Sequence, residues 1–269
     1  MIFAGLSEPA IRLIAFSAIF ATMAAVELAA PRLERAEMAG AWKSRRWIAN
    51  VGVLVLSSLC LRFVFPLAAV GSALFAATHG IGLFRLVALP AWLAGGLAFI
   101  LLDLAVWAEH LANHKIALLW RIHRVHHTDT GVDVTTALRF HPLEIVVSMV
   151  WKAAIVILLG PPAVAVLVFE IVLNGAAMFN HANIALPPRV DRLLRTVIVT
   201  PDMHRVHHSC EPAETDSNYG FNLSIWDRLF ATYVARPGKG HDGMEIGLKT
   251  YRGRSTSGLG WLLALPFRR

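Results

Sequence analysis

The pentapeptide His-Arg-Val-His-His occurs twice, at residues 123–127 and 204–208. With 12 histidines among 269 residues, composition alone supplies about 0.02 copies of the pattern HxxHH. Upstream of the first copy, His110 and His114 form an HxxxH pair. Side chains three and four residues apart share one face of a helix, so each cluster aims several imidazoles at one point. Ten of the twelve histidines fall between His110 and His208. A zinc or iron ion takes roughly four to six donors, so this supply serves two metal ions. The candidate ligands are His110, His114, His123, His126, His127, His181, His204, His207 and His208. His141, followed by Pro142, is either a tenth ligand or the cap of a helix that starts there. His79 and His241 stand alone in loops and are expected to be solvated.

The surroundings of these histidines are apolar. Hydrophobic residues make up 56% of the chain and charged residues 16%, and the mean hydropathy is +0.57. A bilayer crossing takes about 20 apolar residues. Candidate runs are 13–30, broken only by Glu27; 48–77, with Arg62 inside it; and 87–108, carrying Asp103. Runs 145–159 and 163–179 are joined by Gly160-Pro161-Pro162; each is short, so they are either two crossings or a hairpin that dips in and returns. The fold class expected is an all-α integral membrane protein, a bundle of four to five transmembrane helices under a cytoplasmic, helical, histidine-rich cap for two metals. The regions expected are membrane helices and a basic loop in 1–86, a catalytic region in 87–235, and a tail in 236–269. The tail reads as a loop followed by a short interfacial anchor at 261–267. The start of the chain lacks the features of a cleavable signal peptide, and Cys60 and Cys210 are not expected to pair.

The formal charge of +7 is distributed as membrane topology rather than as a nucleic-acid surface. Loop 32–46 carries Arg32, Arg35, Lys43, Arg45 and Arg46 against Glu34 and Glu37, whereas loop 78–86 carries only Arg85. By the positive-inside rule the first loop is cytoplasmic. Both histidine clusters then face the cytoplasm, and Arg121, Arg124, Arg139, Arg189, Arg192 and Arg195 agree, as lipid-facing charges.

The two halves echo each other. Asp103, Trp107, His110 and His114 step by four, three and four residues; Glu170, Asn174, Ala177 and His181 repeat those steps. The echo is imperfect, because Ala177 stands where His110 would be. A carboxylate within a membrane helix is costly and has a partner. Asp103 and Glu170 either accept the outer N–H of ligating imidazoles or pair with neighbouring polar groups, Lys152 and Arg62 being the competitors.

Taken in order, His110-x3-His114, the HxxHH of 123–127, Phe140-His141-Pro142-Leu143-Glu144, the HxxHH of 204–208, and Asn218-Tyr219-Gly220 ahead of Trp226-Asp227-Arg228-Leu229-Phe230 resemble the fatty acid hydroxylase superfamily. That group includes sterol desaturases and sphingolipid hydroxylases, and the resemblance covers roughly residues 87–233. It implies a membrane-bound, O2-dependent, non-haem di-iron oxidoreductase that hydroxylates or desaturates a sterol, fatty acid, sphingolipid or other lipid, seated in a bacterial inner membrane. Two iron ions are implied as cofactors, with O2 as co-substrate; zinc is able to replace iron in purified protein, since imidazole suits both. Asn218, Gly220 and Asp227 have structural roles on this reading, with Gly220 permitting an unusual backbone angle in a turn behind the metals. The chain carries no haem, iron–sulfur, flavin or nicotinamide motif. Its electrons must come from an external donor, a ferredoxin or b-type cytochrome with its reductase, for which Arg121, Arg124 and Arg205 offer a dock or else a membrane anchor. The competing classes are a membrane zinc hydrolase, which lacks an HExxH here, and a metal transporter or sensor.

Overall fold

The computed structural model describes residues 5–34, 39–65 and 68–268. Arg35 and Glu37 of the basic loop, Pro66 and Leu67 of the second apolar run, and Arg269 lie outside them. The helices in chain order are α1 (Glu8–Ala29), α2 (Gly40–Val64), α3 (Ala68–Thr78), α4 (Leu83–Leu86), α5 (Ala91–Lys115), α6 (Ala117–His127), α7 (Pro142–Leu159), α8 (Ala163–His181), α9 (Pro188–Leu194), α10 (Pro201–His207), α11 (Pro212–Thr215), α12 (Ile225–Leu229), α13 (Gly240–Gly243) and α14 (Leu259–Ala264). Among the described residues no strand forms beyond isolated bridges. Five stretches are long and apolar enough to cross a membrane: α1, the run Gly40–Leu86, α5, α7 and α8. The chain is an all-helical integral membrane bundle.

The apolar run 48–77 is not one helix. Phe65 leaves helical geometry at φ −138°, as a residue ahead of a proline tends to do, and α3 resumes at Ala68. Its buried Ala69, Val70 and Ala73 pack with Leu102 and Val106 of α5, Met149 and Val156 of α7, and Leu167 and Phe169 of α8. Small residues on α3 let these helices approach closely, as membrane packing requires.

Helices α7 and α8 form a hairpin that returns to the side it left. His141 caps α7 through Nδ1, which accepts from Leu143 N at 3.1 Å, and Pro142 fixes the first turn. Gly160 ends α7 in the left-handed region at φ 65°. A Cβ on Gly82 would sit 2.4 Å from the Gly160 Cα, so two glycines let the loops at this end touch. The histidine-bearing ends of α5, α6 and α8 gather at the opposite end.

The cap is closed by a buried guanidinium. Arg46 of α2 donates from Nε and Nη2 to the Asp129 carboxylate at 2.6 and 2.9 Å, from Nη1 to Asp133 Oδ2 at 3.0 Å, and also to the Gly131 carbonyl. Asp133 in turn caps the 3₁₀ turn Val134–Leu138. Arg139, also fully buried, donates to Val125 O, Asn50 Oδ1 and Thr128 Oγ1. Glu27, expected to be a mere interruption of α1, accepts from the backbone N–H of both Val134 and Asn183 at 2.9 Å. Part of the basic excess is therefore structural, since Arg46, Arg139 and Arg205 are all buried rather than lipid-facing.

The tail is likewise more than an anchor. Leu262 and Leu265 are fully buried against Ala49, Val53 and Val125. Arg121 and Arg124 donate to the carbonyls of Pro266 and Leu265 at 3.0 and 2.9 Å. These two arginines hold the tail. Removing one member of a buried ion cluster strands the other and costs about 3–5 kcal/mol. Arg46→Met should therefore lower unfolding stability in detergent by that amount; a chemical-denaturation midpoint equal to that of the parent protein would refute the assignment.

Candidate metal centre

The nine histidines at positions 110, 114, 123, 126, 127, 181, 204, 207 and 208 converge in two groups. His110, His114, His123, His127 and His207 form one; His126, His181, His204 and His208 form the other, and within each group the candidate ligand atoms lie within 4.8 Å of one another. Each HRVHH copy serves both groups. The first copy sends its outer pair, His123 and His127, to the first group and its middle residue, His126, to the second. The second copy does the reverse: His204 and His208 join the second group and His207 the first. On a helix the middle histidine points roughly 80° away from the mean direction of the i, i+4 pair, so the motif spans two adjacent sites. The groups abut where the rings of His127 and His208 stack at 4.8 Å between centroids.

Outer partners turn the inner nitrogens toward the centre. His110 Nδ1 donates to the Tyr219 carbonyl at 2.7 Å, His207 Nδ1 to Ser217 O at 2.7 Å, and His181 Nδ1 to Ala177 O at 2.6 Å. A carbonyl only accepts, so these contacts fix the tautomer and leave the Nε2 lone pair inward. Nδ1 of His123 meets Glu144 Oε1 at 2.5 Å and Nδ1 of His114 meets Asp216 Oδ1 at 3.3 Å.

The Nε2 atoms of His110, His114, His207 and His208 are buried with no protein partner. Nε2 pairs lie 3.1 Å apart for His123–His127 and for His126–His181, and 3.0 Å apart for His181–His204. Two bonds of about 2.1 Å meeting near a right angle separate their donors by about 3.0 Å. The donor set fits two metal ions. Burial, and after it the neighbouring rings, push His126, His127, His204, His207 and His208 well below the ordinary imidazole range, and burial pushes His123 down to about 3. These six rings are neutral at pH 7, the form that binds metal.

Other expectations change. Asp103 touches no histidine; it accepts from Asn222 Nδ2, Leu223 N and Trp226 Nε1 at 2.8, 3.1 and 2.8 Å. Glu170 pairs with Arg12 Nη2 at 2.6 Å and Lys152 Nζ at 3.0 Å, and Arg62 is exposed to one side of this. Neither carboxylate contacts an imidazole: Asp103 holds residues 222–226 and Glu170 holds α1 and α7. His141 stands outside both groups as the cap of α7. His241, expected in solvent, is half-buried with Nε2 3.7 Å from Asp202. Asn218, at φ 49°, adopts the left-handed angle, whereas Gly220 is required by space: a Cβ there would lie 2.9 Å from Leu223 O and 3.0 Å from Asp227 Oδ2. Asp227 accepts from Trp107 Nε1, Tyr219 N and Gly220 N at 3.0, 2.8 and 2.9 Å. Asp103 and Asp227 thus lock residues 219–227 onto α5 in a crossed pair, which sets the Tyr219 carbonyl against His110.

The groups that sequence reading missed are these outer partners. Glu144 sits one turn into α7, 21 residues from His123, a separation with no rule behind it. Backbone carbonyls of Ala177, Ser217 and Tyr219 leave no mark in a sequence at all. A cavity of about 200 Å³ opens beside the first group, with His110 and His123 in its wall.

Comparison with known proteins identifies the family. The chain is 30% identical over 173 residues to an ornithine lipid hydroxylase, OlsE, of Rhizobium tropici, covering 64% of this chain and 50% of that protein. It is 31% identical over 143 residues to an alkylglycerol monooxygenase of Danio rerio, covering 53% of this chain and 31% of that one. The human alkylglycerol monooxygenase is 28% identical over 159 residues, at 57% and 34% coverage. The matched region therefore spans half or less of each of these relatives. No solved structure matches. The fatty acid hydroxylase family profile matches residues 95–232, from the second turn of α5 through both HRVHH copies to the Asp227 lock, and the chain belongs to that family.

Proposed function

We propose that this protein is an O2-dependent, non-haem di-iron monooxygenase that hydroxylates a membrane lipid. The observation that carries the reading is the convergence of nine buried imidazoles into two groups. His110, His114, His123, His127 and His207 would hold one iron and His126, His181, His204 and His208 the other. When bound, such a pair reduces O2 and oxidises an unactivated C–H bond. The chain's own residues do the rest. The outer carbonyls and Glu144 hold the rings in the metal-binding tautomer, the cap excludes bulk water, and the cavity beside His110 and His123 presents a lipid carbon to the centre.

One oxygen atom enters the lipid and the other leaves as water, so each turnover consumes two electrons and two protons. With no redox motif in the chain, an external ferredoxin- or cytochrome-like donor supplies the electrons from the cytoplasm. The relatives' names, an ornithine lipid hydroxylase and alkylglycerol monooxygenases, support hydroxylation over desaturation. A catalytic zinc hydrolase uses three protein ligands and a water, and nine buried imidazoles exceed that need.

Three outcomes test the reading. Protein purified without oxygen should hold close to two metal ions per chain, and the purified, reduced enzyme should transfer one atom of ¹⁸O2 into lipid; one metal with full activity, or no labelled lipid, would sink it. The crossed ligand pattern makes a sharper statement. His127→Ala and His207→Ala, from different motif copies, should each lose the same ion, so the double variant retains about one metal. His127→Ala with His204→Ala should retain almost none, and His141→Gln should keep both. Equal metal content in the two double variants would show that the groups are not separate. For orientation, a cysteine placed at exposed Asp242 in a background without Cys60 and Cys210 should react with an impermeant reagent only after lysis, and one at exposed His79 should react from outside intact cells. Both labelled from the same side would overturn the cytoplasmic placement.

A further inference from the structure

Residues outside the five spanning stretches carry an apolar surface of their own. Val190, Leu193 and Val197, on α9 and the turn after it, are exposed, as are Ile225, Leu229 and Phe230 on and just after α12; Leu193 is 71% and Leu229 66% exposed. Hydrogen bonds join the two pieces into one unit. Ser224 N donates to Val197 O and Val199 N to Asn222 O, both at 3.0 Å, and Ser224 Oγ donates to Arg195 O at 2.8 Å. Arg189 and Arg192 are exposed on the same unit and form no ion pair among the described residues.

Depth decides what covers this surface. α12 is fastened to α5 on the bilayer side of the histidines: Trp226 Nε1 donates to Asp103 Oδ2 at 2.8 Å, and Phe230 stacks on Trp107 at 4.5 Å between ring centroids. By helical rise, Asp103 and Trp107 lie about 10 and 4.5 Å below His110 along α5. Counted from Ala91, a hydrocarbon layer of about 30 Å carries α5 to the neighbourhood of His110. α12 therefore sits where acyl chains meet headgroups, a level that a water-borne protein does not reach. Interfacial segments bury apolar side chains about 5–10 Å into that boundary with basic residues beside them, and an exposed apolar patch rimmed by charge marks such a contact.

The same unit bears on the histidines. Thr200, the N-cap of α10, donates Oγ1 to Asp191 Oδ1 of α9 at 2.6 Å, and residues 219–227 set the Tyr219 carbonyl against His110. We propose that α9 and α12 form an interfacial foot, separate from the spanning helices, that beds in the leaflet on the histidine side and collects anionic phospholipid headgroups on Arg189 and Arg192. A guanidinium fork pairs with a phosphate through two parallel hydrogen bonds, and an anionic lipid brings no ammonium of its own to compete. The leaflet then buttresses the loop and the helix cap beside the metal centre.

The test uses the full chain in lipid nanodiscs, in a background without Cys60 and Cys210, with a fluorophore attached to Leu193→Cys or Leu229→Cys. Exposed Asp242→Cys is the aqueous reference. Both foot probes should be quenched by brominated acyl chains and shielded from acrylamide; probes as open to acrylamide as the reference overturn the foot. In discs of equal phosphatidylcholine and phosphatidylglycerol, moving the bromine from the first lipid to the second should raise quenching at position 193 roughly two- to fivefold. Arg189→Gln together with Arg192→Gln, both exposed positions, should abolish that rise. No rise in the parent protein overturns headgroup selection, and a rise that persists in the double variant overturns its assignment to these arginines.

Discussion

Nine imidazoles packed away from water persist only as neutral rings, and a neutral ring offers its lone pair inward only if its other nitrogen is held from outside. That constraint organises the whole cap. Desolvation favours the uncharged form and each added neighbour reinforces it, so the cluster needs no counter-charge. It does need acceptors, and they come from distant parts of the chain: Ala177 on the same turn as His181, Ser217 and Tyr219 in the loop after the second motif, and Glu144 at the top of α7. Every element that supplies one must be fixed to a helix end. The Asp103–Trp226 and Trp107–Asp227 contacts at 2.8 and 3.0 Å do this for the loop, and Arg46 does it for residues 129–133.

The echo between the halves gains a physical meaning here. His114 and His181 occupy equivalent places, one in each group, and the two HRVHH copies exchange their middle residues. The imperfection at Ala177 becomes the difference between five donors and four. Where the first half has the His110 ring held by Tyr219 O, the second half has only a methyl group, and the Ala177 carbonyl is spent on His181. The two histidine groups are therefore chemically unequal, and Ala177 itself faces the cavity. Symmetry at the level of ligand spacing coexists with a donor set that is not symmetric.

Much of this was legible in the sequence because metal ligands are side chains and helical spacing places them. All nine histidines of the two groups stand at positions that the spacing singles out, and the apolar runs mark α1, α5, α7 and α8. What was hidden belongs to geometry between elements. The break between α2 and α3 sits inside the long apolar run 48–77, with Pro66 as its signal. The role of Arg46 depends on Asp129 and Asp133, 83 and 87 residues away, so a basic loop residue and a buried clamp look alike. Asp103 and Glu170 sit on the histidine face by periodicity, yet the nearest donors lie elsewhere, in residues 222–226 for Asp103 and on α1 and α7 for Glu170. From sequence His141 is open between ligand and cap; the structure makes it the cap, because the Leu143 N–H of the first turn needs an acceptor and finds it in Nδ1.

The same electrostatic reasoning explains why α1 is part of the machine although it is the least buried of the long helices. Glu170 lies on α8 about 16 Å below His181, by helical rise, where an isolated charge is costly. Lys152 offsets it from α7, and Arg12 completes the set from α1, itself tied to Glu8 at 2.6 Å. At its other end α1 places Glu27 against the backbone of Val134 and Asn183. One helix thus neutralises the charge at the deep end of the bundle and caps two loops beside the histidines. Between those two anchor points it contributes Phe16 to the cavity wall.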